Sequence, residues 1–363
     1  MKKTRLIMAG GFLGAGKTTL LWDAAKRLMA EGKRVGLVTN DQAPELVDTH
    51  ILLCDGLKVA EVSGSCFCCN FNGFIDAIKN LRTDIIADVI IAEPVGSCTD
   101  LSATIINPMK QFYGTELTIS PLTVLADPSR LRSILKNGDG GLHEDAAYIY
   151  RKQLEEADMI LITKTDMLTK EETDQILADT KQAFPTAKVM AISTSAGVGV
   201  DEWLQDVCSS EEAGIKLLDI DYDRYAHGEA VLGWLNGTLH LADKNICWDD
   251  VLKKITSALT TAITAEALRV GHVKLIMECG KDFAVTNLTG ADNQTTFRGK
   301  AGVADEARLI VNARVETSPE HLDELVMNAL VDALPINCQE EVLAWRYLQP
   351  GRPNPTYRFS MTT

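Results

Sequence analysis

Short apolar runs alternate with helix-length amphipathic stretches through the N-terminal half of the chain. The runs fall at residues 6–9, 33–40, 57–62, 88–93, 123–127, 158–166 and 187–193. Apolar runs of this length between helical patterns are typical of buried strands in a parallel sheet. The pattern therefore predicts an α/β fold, a doubly wound, mostly parallel sheet that binds its ligand at the carboxyl ends of the strands.

The pattern changes after "GVDEWLQDV", where residues 208–229 are predicted to connect two domains. A strand in "EAVLGWLNGTLHL" is followed by a helical spacing over 248–263, a strand pair around Gly280, the strand "ARLIVNARV" and a helix over 322–333. This order, β-α-β-β-β-α, predicts a smaller α+β C-terminal domain. We place the two domains at 1–210 and 225–363 and expect the tail "QPGRPNPTYRF" to form an extended strap over the C-terminal domain, with a partner-docking segment as the alternative.

A glycine-rich turn follows the first predicted strand. Gly11, Gly16, Lys17 and Thr18 match the phosphate-loop pattern of Gly, four residues and Gly-Lys-Thr. Glycines let backbone N–H groups crowd around phosphate oxygens, and a helix that begins at this point directs its positive end to the same oxygens. We expect Lys17 to reach the β- and γ-phosphates and the Thr18 hydroxyl to hold Mg²⁺.

Two further predicted strands end in residues suited to a nucleotide. Glu93 closes "DVIIAE" and is expected to hold a Mg²⁺-bound water, while Gly96 leaves room for a backbone N–H at the γ-phosphate. In "TKTD", Asp166 would accept hydrogen bonds from the ring N–H and the exocyclic amine of guanine, and Lys164 would pack over the base. The plain alternatives are a solvated acid at a strand end and a helix N-cap. "STSAGVG" (193–199) follows where a loop could support the same base.

The stretch "SGSCFCCN" places Cys66, Cys68 and Cys69 within four positions. Three thiolates can converge on one zinc or cobalt ion if the loop curls, but a closed structural zinc site usually has four ligands. An incomplete set of ligands suits a carrier that must release its metal. The alternatives are buried thiols that pack as small apolar side chains and a redox pair. The missing ligand could come from Asp41, Glu45, Cys98, a water or a second subunit.

Four motifs follow one another along the chain: the phosphate loop, Cys-x-Cys-Cys, Glu-x-x-Gly and Thr-Lys-x-Asp. In this order they resemble the motifs of the CobW-type GTPases, the relatives of the urease and hydrogenase nickel-insertion GTPases. The resemblance covers roughly residues 4–205. It implies a P-loop fold, GTP hydrolysis with Mg²⁺ and a role as a metallochaperone or metalloenzyme-assembly factor. It assigns a transition metal to Cys66, Cys68 and Cys69, for which we predict Zn²⁺ or Co²⁺, with Asp41 as a candidate further ligand. The nucleotide-binding residues that it implies are Gly14, Gly16, Lys17, Thr18, Thr19, Lys164 and Asp166. To these we add Gly11 and Ala15 of the same loop, and we expect the catalytic residues to be Lys17, Thr18, Glu93 and Gly96.

The chain also departs from the family pattern. Residues 39–48, "TNDQAPELVD", occupy the position of switch I, where relatives commonly carry Asn-Glu-Phe-Gly-Glu. Ser65 precedes the first cysteine, where relatives commonly have glycine. Many relatives carry a histidine-rich stretch, and the six histidines of this chain are scattered in sequence. These departures predict a divergent subgroup.

The composition and charge limit the cellular location and the kinds of binding partner that we expect for the protein. The formal net charge of −14 argues against nucleic acid as the main partner, because phosphate-backbone binding needs clustered cations. The N-terminal apolar run is interrupted by Lys17 and is expected to be a strand and not a signal peptide. No apolar run reaches the roughly 18 residues of a membrane span. We therefore expect a cytoplasmic protein, in which the nine cysteines are reduced.

These observations together predict a slow GTPase that couples GTP and GDP binding to delivery of a transition metal to a client metalloprotein, with a homodimer left open. One alternative is a GTP-dependent assembly or reactivation factor for a corrinoid (cobalamin) enzyme, with the corrinoid protein as client. The other is a nucleotide-gated interaction module with little hydrolysis.

Overall fold

The computed structural model describes residues 2–41, 57–289 and 294–362, without the side chains of Asp41 and Gln294. The chain divides into two compact units. The first contains Met1–Gly138, Ala147–Tyr225 and Arg352–Thr363, and the second contains Asp139–Ala146 and Ala226–Gly351. The sequence-based boundaries 1–210 and 225–363 stay a prediction about independently folding domains. The final segment, which they place in the C-terminal domain, is grouped with the first unit.

The first unit is built on an eight-stranded sheet in the order β3-β2-β4-β1-β6-β7-β8, with β5 paired to β1 off this path. All of these pairings are parallel among the described residues. The strands are β1 Thr4–Gly11, β2 Val35–Asp41, β3 Lys58–Ser63, β4 Val89–Glu93, β5 Leu117–Ile119, β6 Thr123–Ala126, β7 Met159–Ile162 and β8 Lys188–Ala191. The prediction of a doubly wound parallel sheet is confirmed. Sequence analysis missed only the three-residue β5 in this sheet.

The helices form where amphipathic stretches begin at good N-caps. Asp127 caps a helix that starts with Pro128, and Thr169 forms a capping box with Glu172. Among the described residues, the helices are Lys17–Ala30, Phe71–Asp84, Asn107–Tyr113, Pro128–Leu135, Glu144–Glu156, Lys170–Ala183, Val200–Ser209, Tyr222–Ala230, Trp248–Ala265 and Pro319–Ala333, with a π-helical turn at Ser102–Ile106 and a 3₁₀ turn at Thr165–Met167. Of the helices that the structure describes, none combines the length and the apolarity needed to cross a membrane.

The second unit contains a six-stranded antiparallel sheet in the order β12-β11-β10-β13-β9-β14. Its strands are β9 Gly233–Cys247, β10 Val270–Cys279, β11 Asp282–Thr289, β12 Gln294–Lys300, β13 Val303–Val315 and β14 Gln339–Leu348. Helices Trp248–Ala265 and Pro319–Ala333 bury their apolar faces in one core with this sheet, around Leu259, Leu275 and Leu330. The prediction of a smaller α+β domain is confirmed.

Three elements beyond residue 208 were missed by sequence analysis. β12 carries "QTTFRGK", which has little apolar content, and β14 is mostly exposed, so neither run has a buried face to reveal it. Helix Tyr222–Ala230 lies in the segment that was predicted to be a connection. Asp221 accepts hydrogen bonds from the N–H groups of Asp223 and Arg224 at its start, so an N-cap was the available signal.

A buried polar cluster fixes the segment that follows β4. Glu156, at the end of its helix, accepts hydrogen bonds from the Thr99 hydroxyl at 3.0 Å and from the Ser102 N–H at 3.1 Å. All three side chains are almost fully buried. Burial raises the pKa of Glu156 to about 8, in spite of these donors. The segment that leads away from Gly96 is therefore held by a carboxyl group that stays protonated near neutral pH.

Glu156→Gln should flatten the pH dependence of stability. The folded-state pKa of about 8 lies above the unfolded value of about 4.5, so the folded chain binds the extra proton between these limits. The free energy of unfolding therefore falls as pH rises from 5 to 8, by up to about 1.4 kcal/mol per pH unit for this group. Urea unfolding at several pH values should show a smaller slope for Glu156→Gln than for the unmodified chain.

Glu155→Gln, on the partly exposed side of the same helix, is the matched control and should keep the original slope. Equal slopes for all three proteins would show that Glu156 does not carry the effect.

Candidate functional site

The turn between β1 and helix Lys17–Ala30 has the backbone conformation of a phosphate loop. Gly11, Gly14 and Gly16 all have positive φ, at 128°, 77° and 93°. A Cβ at Gly11 would lie 2.4 Å from the carbonyl oxygen of Leu125, so only glycine fits at this point. Gly16 ends the loop as the N-cap of the 14-residue helix, whose free N–H groups and dipole face the loop.

Lys17 and Gly96 lie next to each other. The buried Lys17 Nζ donates to the carbonyl oxygen of Gly11 at 2.9 Å. A Cβ built at Gly96 would lie 3.1 Å from this Nζ and 2.8 Å from the Leu13 side chain. The backbone after β4 therefore approaches the loop as closely as a glycine allows.

Thr18 and Glu93 also meet, although 75 positions separate them in sequence. The Thr18 hydroxyl donates to Glu93 Oε1 at 3.2 Å. A hydroxyl beside a carboxylate, at the start of a helix, is a set of oxygen ligands that suits Mg²⁺. Thr19 is half-buried in the next position of the helix, and Ala15 is buried in the loop.

The residues predicted to recognise a base lie at the ends of β7 and β8. The Thr163 hydroxyl donates to the carbonyl oxygen of Ala15 at 2.9 Å, which ties this loop directly to the phosphate loop. Asp166 accepts hydrogen bonds from the hydroxyls of Ser193 at 2.7 Å and Ser195 at 2.8 Å. The Ser193 bond in particular holds the pKa of Asp166 below its usual value. Asp166 is thus an oriented, ionised acceptor at the protein surface.

Asp127, at the end of β6, is a residue of this site to which sequence analysis gave no role. Its Oδ2 lies 2.7 Å from Lys164 Nζ, and Lys164 itself has a positive φ of 55°. Burial raises the pKa of Asp127, but the Lys164 charge and the Ser129 donors outweigh burial and leave the pKa lowered. The sequence signal was an acid between a buried strand and Pro128, which is also an ordinary helix start.

The three cysteines of "SGSCFCCN" converge in space. Cys66 Sγ lies 2.9 Å from Cys68 Sγ and 3.1 Å from Cys69 Sγ, and the Cys68–Cys69 sulfur distance is 3.8 Å. Cys66 and Cys68 are buried, and Cys69 is partly exposed. Sulfurs around a tetrahedral zinc ion, at about 2.3 Å each, lie about 3.8 Å apart. The loop therefore needs to open by only about 1 Å to accept such an ion.

Asn40 holds the cysteine loop against the end of β2. Its side-chain amide donates to the carbonyl oxygens of Val62 at 2.7 Å and Ser65 at 2.8 Å. Its Oδ1 accepts the N–H of Phe67 at 2.9 Å. Phe67 is buried and stacks on Phe74, with ring centroids 4.1 Å apart. The Phe67 ring thus anchors the loop while the flanking thiols turn the other way.

The thiols are electrostatically coupled. Hydrogen bonds with the Cys68, Cys69 and Cys98 thiols lower the pKa of Cys66. The pKa of Cys69 is raised to about 11, mainly by its hydrogen bond to Cys66. Of the three thiols, Cys66 is thus the one whose surroundings favour the thiolate form.

The proposed fourth ligands differ in what the structure says of them. The Cys98 thiol neighbours Cys66 but lies outside the group of sulfurs that are all within 4.8 Å of one another. The side chain of Asp41 and the whole of Glu45 lie outside the described residues. Asp41 and Glu45 therefore stay predictions.

A second group of side chains of the types that ligate metals lies in the second unit. One ligand atom each from His143, Asp145 and His227 fall within 4.8 Å of one another. Ordinary hydrogen bonds account for this grouping, because His227 Nδ1 lies 2.6 Å from Asp145 Oδ2 and His143 Nδ1 accepts the Asp145 N–H at 3.2 Å. The thiol group is the stronger metal candidate.

Comparison with known proteins shows which family the chain matches. The model of the family described as CobW/HypB/UreG, nucleotide-binding domain, matches residues 5–191, which is more than half of the chain. The matched range contains the phosphate loop, the three cysteines and the "TKTD" segment.

Individual relatives are more distant. The chain is 26% identical over 184 residues to a protein named zinc chaperone CobW from Sinorhizobium sp, covering 44% of this chain and 50% of that protein. A protein of the same name from Pseudomonas aeruginosa is 26% identical over 229 residues, covering 54% and 58%. The chain thus spans about half the length of the curated relatives it matches. The solved structure of the hydrogenase maturation factor HypB from Archaeoglobus fulgidus aligns with 19% identity and a TM-score of 0.39, covering 56% of this chain and 87% of that one.

Gly96→Ala should weaken nucleotide binding by roughly tenfold or more. The added methyl group would meet Leu13 and Lys17 Nζ and must push Lys17 or the backbone out of place. Titration with a fluorescent guanine nucleotide measures the loss of affinity, and thermal unfolding shows whether the fold is retained.

Gly10→Ala is the control, because its Cβ would meet only ordinary contacts, 3.5 Å from Leu101 and farther from other atoms. Unchanged affinity in Gly96→Ala would mean that this close approach does not matter for the nucleotide.

Proposed function

Since this chain belongs to the CobW/HypB/UreG family of nucleotide-binding proteins, we propose that it is a slow GTPase whose nucleotide state controls delivery of a thiol-bound transition metal. The observation that carries the proposal is one domain with both a phosphate loop and three convergent thiols. The curated relatives supply zinc as the first metal to test, because both are named zinc chaperones.

Guanine preference is proposed from the surroundings of Asp166. Guanine offers a ring N–H and an exocyclic amine to one carboxylate, whereas adenine cannot offer both in this arrangement. The two serine hydroxyls orient the carboxylate, and Thr163 ties its loop to the phosphate loop. Lys164, held by Asp127, would lie over the base. Base and phosphates would thus be bound by loops that are hydrogen-bonded to each other.

Hydrolysis is proposed to depend on Lys17, Thr18, Glu93 and Gly96. Lys17 would exchange its contact with the Gly11 carbonyl for the β- and γ-phosphates, and the Gly96 N–H would meet the γ-phosphate. Thr18 and Glu93 fit a Mg²⁺ site, Glu93 through a water, and Mg²⁺ bound there would neutralise charge on the transferred phosphoryl group. The chain's own contribution is thus to position the phosphates for attack by water.

The thiols are proposed to bind the metal as cargo for a client metalloprotein. Three sulfurs leave one coordination position of a tetrahedral ion for an exchangeable ligand, which suits transfer. Asp41, Cys98, a water or a partner residue could fill this position.

Nucleotide and metal sites are proposed to be coupled through the backbone that they share. Asn40 joins the end of β2, where switch I begins, to the cysteine loop. On the other side, Gln153 donates to the carbonyl oxygens of both Gly96 and Cys98, at 2.9 and 2.8 Å. A shift of either segment toward a γ-phosphate would therefore reach the thiols.

Asp166→Asn should reduce the preference for GTP over ATP by roughly 10- to 100-fold, because a charge-assisted hydrogen-bond acceptor is lost. Competition between the two nucleotides for the same site measures the effect. Asp174→Asn, on an exposed helix of the same unit, should leave the preference unchanged. Equal binding of ATP and GTP by the unmodified chain would contradict the proposed base specificity.

Replacing Cys66, Cys68 and Cys69 together by serine should abolish high-affinity binding of about one zinc ion per chain. Zinc affinity should also fall at low pH in the unmodified chain, because protons compete for the thiolates. Zinc titration against a chromophoric chelator measures both effects, and Co²⁺ binding should add thiolate charge-transfer absorption.

Cys338→Ser in the second unit is the matched control and should bind zinc normally. If the unmodified chain hydrolyses GTP but binds no zinc, the corrinoid-enzyme alternative gains support, because in it the metal is bound only through the client. Unchanged zinc binding in the triple variant would place the metal on other residues and contradict the proposed thiol site. If zinc binds but hydrolysis in single-turnover assays is absent, the interaction-module alternative gains support.

A further inference from the structure

The C-terminal segment Arg352–Phe359, here called the C-terminal arm, runs along the first unit without regular secondary structure and bends at Thr356. Its side chains alternate, so that Pro353, Pro355, Tyr357 and Phe359 are buried or half-buried and the residues between them are exposed. Tyr357 packs edge-on against Phe71, with ring centroids 5.1 Å apart, and also contacts Phe112. Phe71 follows directly after the cysteine loop. The arm therefore has a regular inward face, which packs beside the thiols.

Main-chain hydrogen bonds fix the arm to the cysteine loop itself. The N–H of Asn354 donates to Cys69 Sγ at 3.2 Å. The N–H of Thr356 donates to the carbonyl oxygen of Cys68 at 2.8 Å, and its hydroxyl donates to that of Cys69 at 3.2 Å. One of these donors thus points at a sulfur, and the other two hold the backbone that carries it.

The same arm is hydrogen-bonded to the segment that follows Gly96. Arg358 Nε donates to Asp100 Oδ2 at 2.7 Å, and Asp100 is almost fully buried. The Tyr222 hydroxyl donates to the same oxygen at 2.8 Å. Asp100 has a positive φ of 65° and lies four positions beyond Gly96. The Phe359 N–H adds a bond to the Ala103 carbonyl oxygen at 2.9 Å.

We propose that the C-terminal arm is part of the thiol site: its Asn354 N–H stabilises the metal-bound Cys69 thiolate, and its Arg358 links that thiolate to the segment beyond Gly96. This inference rests on the proposed function, in which the thiols hold the metal. The arm thus connects the cysteine loop with the segment that follows Gly96. This connection adds to those that Asn40 and Gln153 make.

The chemistry favours a role in holding the metal over simple packing. A hydrogen bond donated to a metal-ligating sulfur orients the ligand and tunes its basicity, and loss of such outer contacts typically costs about 10- to 100-fold in metal affinity. The donor is also a main-chain N–H, so water can take its place at the sulfur only if the arm itself moves away. The arm can therefore hold metal when docked and favour its release when displaced.

Asn354→Pro removes the backbone donor to Cys69 Sγ. The ring carbon that replaces the amide hydrogen would also meet this sulfur, so the variant moves the arm away from Cys69 at this point. Asn354→Ala keeps the N–H and removes only the side chain. We expect zinc affinity to fall about tenfold or more in Asn354→Pro and to stay within about twofold of the unmodified chain in Asn354→Ala.

The link to Asp100 is tested by Asp100→Asn with Arg358→Gln, made together so that no buried charge is left alone. Asparagine tolerates the positive φ of Asp100. The double variant should bind guanine nucleotide normally. Zinc should still change its affinity for a GTP analogue, but by a factor no larger than the square root of the factor measured for the unmodified chain. Arg352→Ala, which breaks the exposed pair with Asp223, is the control and should keep the full factor.

Two kinds of failure are distinguishable. If the unmodified chain binds no zinc through its thiols, the proposed function fails and the arm loses its role with it. If it binds zinc and Asn354→Pro matches Asn354→Ala, the proposed function stands and the contribution of the arm to the metal is overturned. An unchanged factor in the double variant would overturn the link through Arg358.

Discussion

The parallel pairing of β1 with β4 and β6 is the constraint on which the first unit depends. In a parallel sheet all strands end at the same edge, so the order β3-β2-β4-β1-β6-β7-β8 gathers distant residues there. Gly11, Glu93 and Asp127 end or directly follow adjacent strands of this order. The Thr18–Glu93 contact requires β1 and β4 to end at the same edge, and the Thr163–Ala15 contact requires the same of β1 and β7.

Asn40 connects this edge of the sheet to the loop that carries the thiols. It sits near the end of β2, which pairs with β4 on one side and β3 on the other. Its three hydrogen bonds hold the cysteine loop as that loop leaves β3. The thiols are therefore not an appendage to a nucleotide-binding domain. Their loop is hydrogen-bonded to the end of β2, the strand after which sequence analysis predicts switch I.

The sequence was sufficient for the elements and motifs that local patterns encode. Apolar runs located seven of the eight strands of the parallel sheet, and glycine, lysine and threonine spacing located the phosphate loop. The convergence of the three thiols was expected from their spacing, but Asn40, which holds their loop, carries no local signal. Its role depends on a backbone segment more than 20 positions away, as the bond to Val62 shows.

The C-terminal arm shows the same limit more strongly. Its proline-rich sequence predicted an extended strap, but the strap was expected over the C-terminal domain and instead contacts Cys68, Cys69 and Asp100. The Asn354–Cys69 contact joins residues 285 positions apart, and the donor is a backbone N–H that every non-proline residue has. Only the folded chain reveals which of these donors meets a thiol.

The central claim is that γ-phosphate and metal act on each other through these shared segments. The most direct test is the zinc affinity of the unmodified full chain, measured by chelator competition with saturating GDP and with a non-hydrolysable GTP analogue. Coupled sites should give affinities that differ by a factor of roughly 5 to 150, the usual range for allosteric coupling of about 1–3 kcal/mol. Equal zinc affinities in the two nucleotide states would contradict the account.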